Sequence, residues 1–178
     1  MIWLNYASIK KNDIANGTGV RVSLFVSGCT HHCKGCFNSE TWDFNYGMEY
    51  TDQTEQQILN ALNFPHIAGL TLIGGEPMEP SNQRELVKLV KKVKHEYPEK
   101  NIWCYTGYTL EKDLLNISQA RCEVTDEFLS YIDILVDGKF ELNKRNIMLK
   151  FRGSENQRII MLQETLKTGK IVLSELNK

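Results

Sequence analysis

Val20-Arg21-Val22-Ser23-Leu24-Phe25-Val26-Ser27-Gly28-Cys29-Thr30-His31-His32-Cys33-Lys34-Gly35-Cys36-Phe37-Asn38 runs from an apolar stretch through a single glycine into a cluster of thiols. The first seven residues read as a buried strand, and Gly28 supplies a bend. The cysteines therefore belong on a loop just past the strand's carboxyl end. Ligand sites in α/β folds collect at that end.

Three of the five cysteines lie within eight residues, spaced C-x3-C-x2-C. Thiolates bind soft metals and iron–sulfur clusters. A [4Fe–4S] cube normally takes four cysteine ligands, so three would leave one iron open to a small molecule. A closed zinc site also needs four donors, and His31 or His32 could complete one. Three unrelated buried cysteines are the plain alternative, and spacing alone does not choose among these.

The chain has 178 residues, 42% hydrophobic and 24% charged, which suits one globular domain, residues 1–178. A net charge of −1 gives no electrostatic case for nucleic-acid binding. The odd cysteine count argues against a fully paired disulfide framework and fits a reducing, cytoplasmic setting. Met1-Ile2-Trp3-Leu4-Asn5-Tyr6 is too short and interrupted for a signal-peptide core. No run reaches the roughly 18 apolar residues of a membrane span.

Residues 1–19 read as a lead-in segment. Asn16-Gly17-Thr18-Gly19 is a turn, or a set of small residues lining one wall of the site. Trp42-Asp43-Phe44-Asn45-Tyr46-Gly47 is aromatic and irregular; it covers the thiols, meets a partner or is ordinary core. A helix starts at Thr54, buries Ile58, Leu59 and Leu62, and ends by Pro65. Leu70-Thr71-Leu72-Ile73 is a strand entering Gly74-Gly75-Glu76-Pro77, where two glycines allow close backbone approach and a carboxylate can meet an ammonium group.

Ser81 is placed to cap the next helix, with Leu86, Leu89, Val90 and Val93 as its buried stripe. Lys88, Lys91, Lys92 and Lys94 read as a solvated face. Asn101-Ile102-Trp103-Cys104-Tyr105-Thr106 is a third strand, with Cys104 in the core. Residues 109–116 and 125–131 read as helical, and Cys122 between them as structural. Ile132-Asp133-Ile134-Leu135-Val136 is a fourth strand ending at Asp137-Gly138-Lys139-Phe140, a turn whose Asp137 or Lys139 could touch cofactor or partner. Residues 159–173 read as a strand, a helix stopped by Gly169 and a final strand. Strands alternating with helices imply right-handed crossovers and a mostly parallel sheet.

C-x3-C-x2-C after a strand resembles the radical S-adenosylmethionine superfamily. The string from Gly28 to Asn38, with Thr41-Trp42 behind it, is similar to one branch of glycyl-radical activating enzymes: the activating proteins of the anaerobic ribonucleoside-triphosphate reductase. Gly35 stands where the wider superfamily has an aromatic residue, and Phe37 follows Cys36 instead. Phe151-Arg152-Gly153-Ser154-Glu155-Asn156-Gln157-Arg158 resembles a string recurring near the C-terminus of this family.

The resemblance implies a shortened, open (β/α) barrel. It implies that Cys29, Cys33 and Cys36 hold a [4Fe–4S] cluster whose open iron binds the methionine part of S-adenosylmethionine. Gly74, Gly75 and Glu76 would position the amino group, with Gly35, Cys36 and Phe37 beside the nucleoside. One electron would cleave the sulfonium to methionine and a 5′-deoxyadenosyl radical. That radical would take the α-hydrogen of a glycine in the C-terminal loop of the large reductase subunit. Reduced flavodoxin as donor and a heterotetramer with the reductase dimer belong to the same implication. Another glycyl-radical target, such as pyruvate formate-lyase, and a zinc-stabilised binding module remain alternatives.

Overall fold

The computed structural model describes residues 3–178. Met1 and Ile2, part of the stretch read as a lead-in and weighed as a signal peptide, lie outside the described residues. Seven strands form one sheet: β1 (Asn5–Asp13), β2 (Val20–Val26), β3 (Met48–Glu49), β4 (Ile67–Gly74), β5 (Asn101–Tyr105), β6 (Ile134–Asp137) and β7 (Arg158–Met161). Their order is β3-β1-β2-β4-β5-β6-β7. The neighbours β2–β4, β4–β5 and β5–β6 are parallel. The neighbours β3–β1, β1–β2 and β6–β7 are antiparallel.

This overturns the expected open (β/α) barrel and its mostly parallel sheet. The chain supplies only three crossovers between parallel strands: α1 (Asp52–Leu62), α2 (Pro80–Glu96) and the segment containing α3 (Thr125–Tyr131). Beyond them the chain doubles back at both edges, so β1 and β7 run against their neighbours. The result is a mixed sheet of limited helix content. A barrel instead requires a strand–helix repeat carried round to closure.

Alternation along the strands divides the sheet into two faces. Val22, Leu24, Leu70, Leu72, Ile102, Cys104 and Leu135 share one core with Ile58 and Leu62 of α1, Leu86, Leu89, Val90 and Val93 of α2, and Phe128 of α3. All three crossover helices thus cover one face. The opposite face carries a smaller cluster of Trp103, Val136 and Ile159, with Phe151 packed against it. Much of that face is left to line a cavity.

Local signals explain most boundaries. Thr51 caps α1 by accepting from the Thr54 N–H, and Thr54 returns the bond as a capping box. Helix α2 begins one residue before Ser81: Glu79 is its N-cap, and Pro80 fills the first helical position, where no N–H is needed. Residues 109–116 form only a single wide turn at Leu110–Leu114, closed by Leu115 N–H on the Leu110 carbonyl. The last helix, α4 (Leu162–Thr168), stops at Gly169 in the left-handed conformation as expected. The strand expected after it is reduced to one bridge between Ile160 and Leu173. Among the described residues no helix is long and apolar enough to cross a membrane.

Candidate functional site

The carboxyl ends of β2, β4, β5 and β6 open into one cavity of about 500 Å³. Its walls include Cys29, Cys33 and Cys36 from the loop after β2 and Gly74, Gly75 and Glu76 from the end of β4. The β2–β4 register makes this meeting obligatory, because Val26 pairs with Gly74 and both chains turn immediately afterwards. Phe37 also lines the cavity. Gly35 is not part of that lining; it packs towards Leu142, and its φ of +78° suits glycine.

Backbone bonds fix the start of the cysteine loop. Gly28 and Cys29 donate to the carbonyls of Thr41 and Trp42, at 2.7 and 3.1 Å. A side chain at Gly28 would strike the ring of Phe44, so Phe44 can seal the bend only over glycine. A Cβ at Gly75 would lie 2.7 Å from the Gly28 carbonyl oxygen, which keeps the two loops in contact. The backbone N–H and hydroxyl of Thr30 both donate to Oε1 of Glu79, at 2.9 and 2.7 Å, tying the loop to the start of α2.

Glu76 has no solvent exposure. Its Oε1 meets His31 Nε2 at 2.7 Å and accepts from the Thr106 hydroxyl at 3.0 Å and the Gly107 N–H at 2.7 Å. Its Oε2 accepts from the Met78 N–H at 2.8 Å. A carboxylate offers about four lone-pair sites, two on each oxygen, so Oε1 is fully engaged while Oε2 takes a single protein donor. Glu76 thereby joins the cysteine loop, the end of β4 and the end of β5.

Burial pushes the Cys29 thiol up to about 12, with the negative charge of Glu76 adding to the rise. Cys33 is raised as well, first by burial. Without metal these thiols hold their protons at neutral pH, and loading a thiolate-ligated group releases them. Cys104, wholly buried in the core, is driven well above the ordinary thiol range.

Cys29, Cys33 and Cys36 bring three soft sulfur donors to one cavity wall, a set that suits an iron–sulfur cluster. His31 bonds Glu76, and His32 stacks on Trp42 with centroids 4.4 Å apart. Trp42 itself lines the cavity, and it is the one residue of the 42–47 segment that does; Phe44 packs over Gly28 instead.

Several participants escaped the sequence reading. Thr106 and Gly107 follow β5, and the rule that sites gather at strand carboxyl ends was the signal that could have found them. Of residues 16–19 only Asn16 lines the cavity; Gly17 and Gly19 take the positive φ of a turn. Phe140, Phe151 and Gln157 form the wall facing the thiols. Asp137 does not reach the main cavity; it is buried and accepts from Arg158 Nε at 2.9 Å and the Leu110 N–H at 2.9 Å. Lys139 is exposed.

The string 151–158 is a clamp. Gln157 Oε1 accepts from the Gly153 N–H at 2.8 Å, and its Nε2 donates to the Gly138 carbonyl at 3.0 Å. Asn156 Nδ2 donates to the Lys139 carbonyl, and the Ser154 hydroxyl accepts from the Glu141 N–H. These bonds fix the shape of the loop after β6, which meets the cysteine loop through side chains: Phe140 and Phe37 have centroids 5.5 Å apart.

Residues 15–160 match the family model described as a 4Fe-4S single cluster domain. The chain is 46% identical over 156 residues to the anaerobic ribonucleoside-triphosphate reductase-activating protein of Pasteurella multocida (strain Pm70), covering 86% of this chain and 95% of the relative. It is 43% identical over 156 residues to the protein of that name from Enterobacteria phage T4, covering 88% and 93%. For Escherichia coli (strain K12) the identity is 42% over 156 residues, covering 86% and 96%. The chain belongs to the family of anaerobic ribonucleoside-triphosphate reductase-activating proteins, built on a 4Fe-4S single-cluster domain.

Proposed function

We propose that this chain activates the anaerobic ribonucleoside-triphosphate reductase by reductive cleavage of S-adenosylmethionine at a [4Fe–4S] cluster, leaving a glycyl radical on the reductase. The observation that carries the reading is the convergence of Cys29, Cys33 and Cys36 with Gly74, Gly75 and Glu76 on one cavity. When bound, the cluster supplies the single electron and an open iron for the amino acid part of the cosubstrate.

The protein's own residues bind and orient. Cys29, Cys33 and Cys36 are the three cluster ligands. Gly74 and Gly75, which line the cavity without side chains, would let the methionine part approach their backbone. Glu76 holds that backbone in place through Met78, His31, Thr106 and Gly107 and offers the nearest negative charge to the amino group. Phe37 and Phe140 provide aromatic surface for the nucleoside, with Cys36 and Gly35 setting the bend that presents Phe37.

The sheet face without helices leaves the cavity open, and a reactive radical requires water to be kept out. The reductase's glycine loop is the natural closure. Residues 1–178 act as a single domain in this reading. A reduced flavodoxin as electron donor, a heterotetramer with the reductase dimer and a cytoplasmic location are parts of the same proposal, supported by the resemblance and by thiol chemistry suited to a reducing compartment.

The test is anaerobic reconstitution with iron and sulfide, followed by electron paramagnetic resonance of the reduced protein with and without S-adenosylmethionine. The expected result is a reduced-cluster signal that changes on addition, release of 5′-deoxyadenosine, and a glycyl radical when the reductase is present. A reconstituted cluster that yields neither product overturns the proposal.

A further inference from the structure

The loop after β6, residues 139–152, has a composition unlike the rest of the chain. It holds Lys139, Lys144, Arg145, Lys150 and Arg152 against the single acid Glu141, a net of +4 in a protein whose total is −1. Arg152 turns inward onto the carbonyls of Gln157 and Asn177. Lys139, Lys144, Arg145 and Lys150 are exposed, and Lys34 on the facing cysteine loop joins them. Of these exposed cations only Lys144 has an ion-pair partner among the described residues, Glu141 at 3.1 Å.

Apolar side chains stand between the charges. Ile147 and Met148 are each 82% exposed, Phe37 is 65% exposed and Leu142 is 42% exposed. They form one rim: Leu142 packs against Gly35, Arg145 lies 5.3 Å from the centroid of Phe37, and Leu149 next to Met148 lines the cavity. Soluble proteins seldom leave such side chains grouped in the open unless they meet a partner. The clamp of residues 151–158 fixes the start of this loop, and Phe140, Leu142 and Arg145 meet Phe37 and Gly35 of the thiol loop, so a partner seated on the rim would lie at the cavity mouth.

We propose that the exposed loop 139–150, with Lys34 and Phe37, is the docking surface for an acidic segment of the reductase that carries apolar anchors. This inference rests on the reading of the reductase as partner and specifies where it binds. Ile147 and Met148 would enter apolar pockets on the partner, while the cations steer its approach and fix its register. The occupant is argued from position, because the rim borders the opening that the glycine loop must reach, and its acidity from the unpaired cations it would meet.

The experiment measures affinity for the isolated large reductase subunit, without oxygen, across a range of salt. Three reconstituted variants are compared with the wild-type chain: K144E with K150E, I147D with M148D, and, as a charge-matched control on the far helix α2, K88E with K91E. Cluster iron content and thermal unfolding of each verify folding. The first two variants are expected to weaken binding about tenfold or more, the charge pair also flattening the salt dependence, while the control binds as wild type does. Wild-type binding with no loss in either rim variant overturns the docking surface and leaves the function intact. No binding by the wild-type chain overturns the partner reading and this surface with it. If the rim variants bind the reductase normally but accept electrons poorly from a protein donor while dithionite still reduces them, the surface belongs to the donor and the proposal is wrong.

Discussion

Replacing Glu76 with glutamine separates the structural work of this carboxylate from any contact with cosubstrate. Glu76 is fully buried and takes four protein donors, three at Oε1 and one at Oε2. An amide keeps one acceptor oxygen and turns the other position into a donor. Keeping the oxygen towards His31, Thr106 and Gly107 leaves the new NH2 facing the Met78 N–H, donor against donor. A hydrogen bond to a charged acceptor is worth about 1.5–3 kcal/mol, and a buried group left without its partner costs about 1–3 kcal/mol. Removing a buried charge returns part of its desolvation cost, so the net loss for Glu76→Gln is about 2–3 kcal/mol. For a chain of this size that lowers the melting temperature by about 4–12 °C. The assay is urea and thermal unfolding of the metal-free, thiol-reduced protein, in which neither cluster nor S-adenosylmethionine contributes. A difference below about 0.5 kcal/mol, the range of neutral surface changes, would refute the reasoning and leave Glu76 with no part in holding the loops together.

Other perturbations test separate links. Serine at Cys29, Cys33 or Cys36 is expected to abolish cluster loading, read as iron and sulfide content, whereas Cys122→Ser retains it. Gly75→Ala places a Cβ 2.7 Å from the Gly28 carbonyl oxygen and 2.9 Å from that of Thr41; the loops must part, and reconstitution yield should fall sharply by iron analysis. Arg158→Ala strands the buried Asp137 carboxylate, which should cost about 3–5 kcal/mol in urea unfolding. Arg158 also holds Glu111 below its ordinary carboxylate value of 4.5. Because the folded value is the lower one, that stabilisation is present above about pH 4.5 and is lost as pH falls through the folded value. The variant should therefore show a shallower acid-side decline when unfolding is followed against pH.

The thiol loop and the Gly74-Gly75-Glu76 turn were legible because each follows a strand dominated by apolar residues. Two adjacent parallel strands then bring their carboxyl-end loops together without further specification. Strand β1 was not legible. Its Lys10, Lys11 and Asn12 are three exposed polar residues in a row, which breaks the alternation expected of a strand. The direction of the edge strands was also hidden, since pairing sense depends on how the chain returns and leaves no local mark. The barrel expectation failed at that point, for β1 and β7 close the sheet's edges by running antiparallel. Residues 109–116 read as helical, but with Leu110 and Leu114 buried and Asp137 accepting from the Leu110 N–H the segment is a single turn instead of a helix. The clamp at 151–158 was visible only as polarity, because its partners are backbone groups 13 to 25 residues distant.

The anchoring of Gly28, Cys29 and Thr30 by Thr41, Trp42 and Glu79 uses no metal at all. A small zinc finger collapses when its ion leaves, because the ion is most of what folds it. Here the backbone of the first thiol is held by the protein's own hydrogen bonds, so the shape of the loop is set before any ligand arrives and filling the site becomes a step separate from folding.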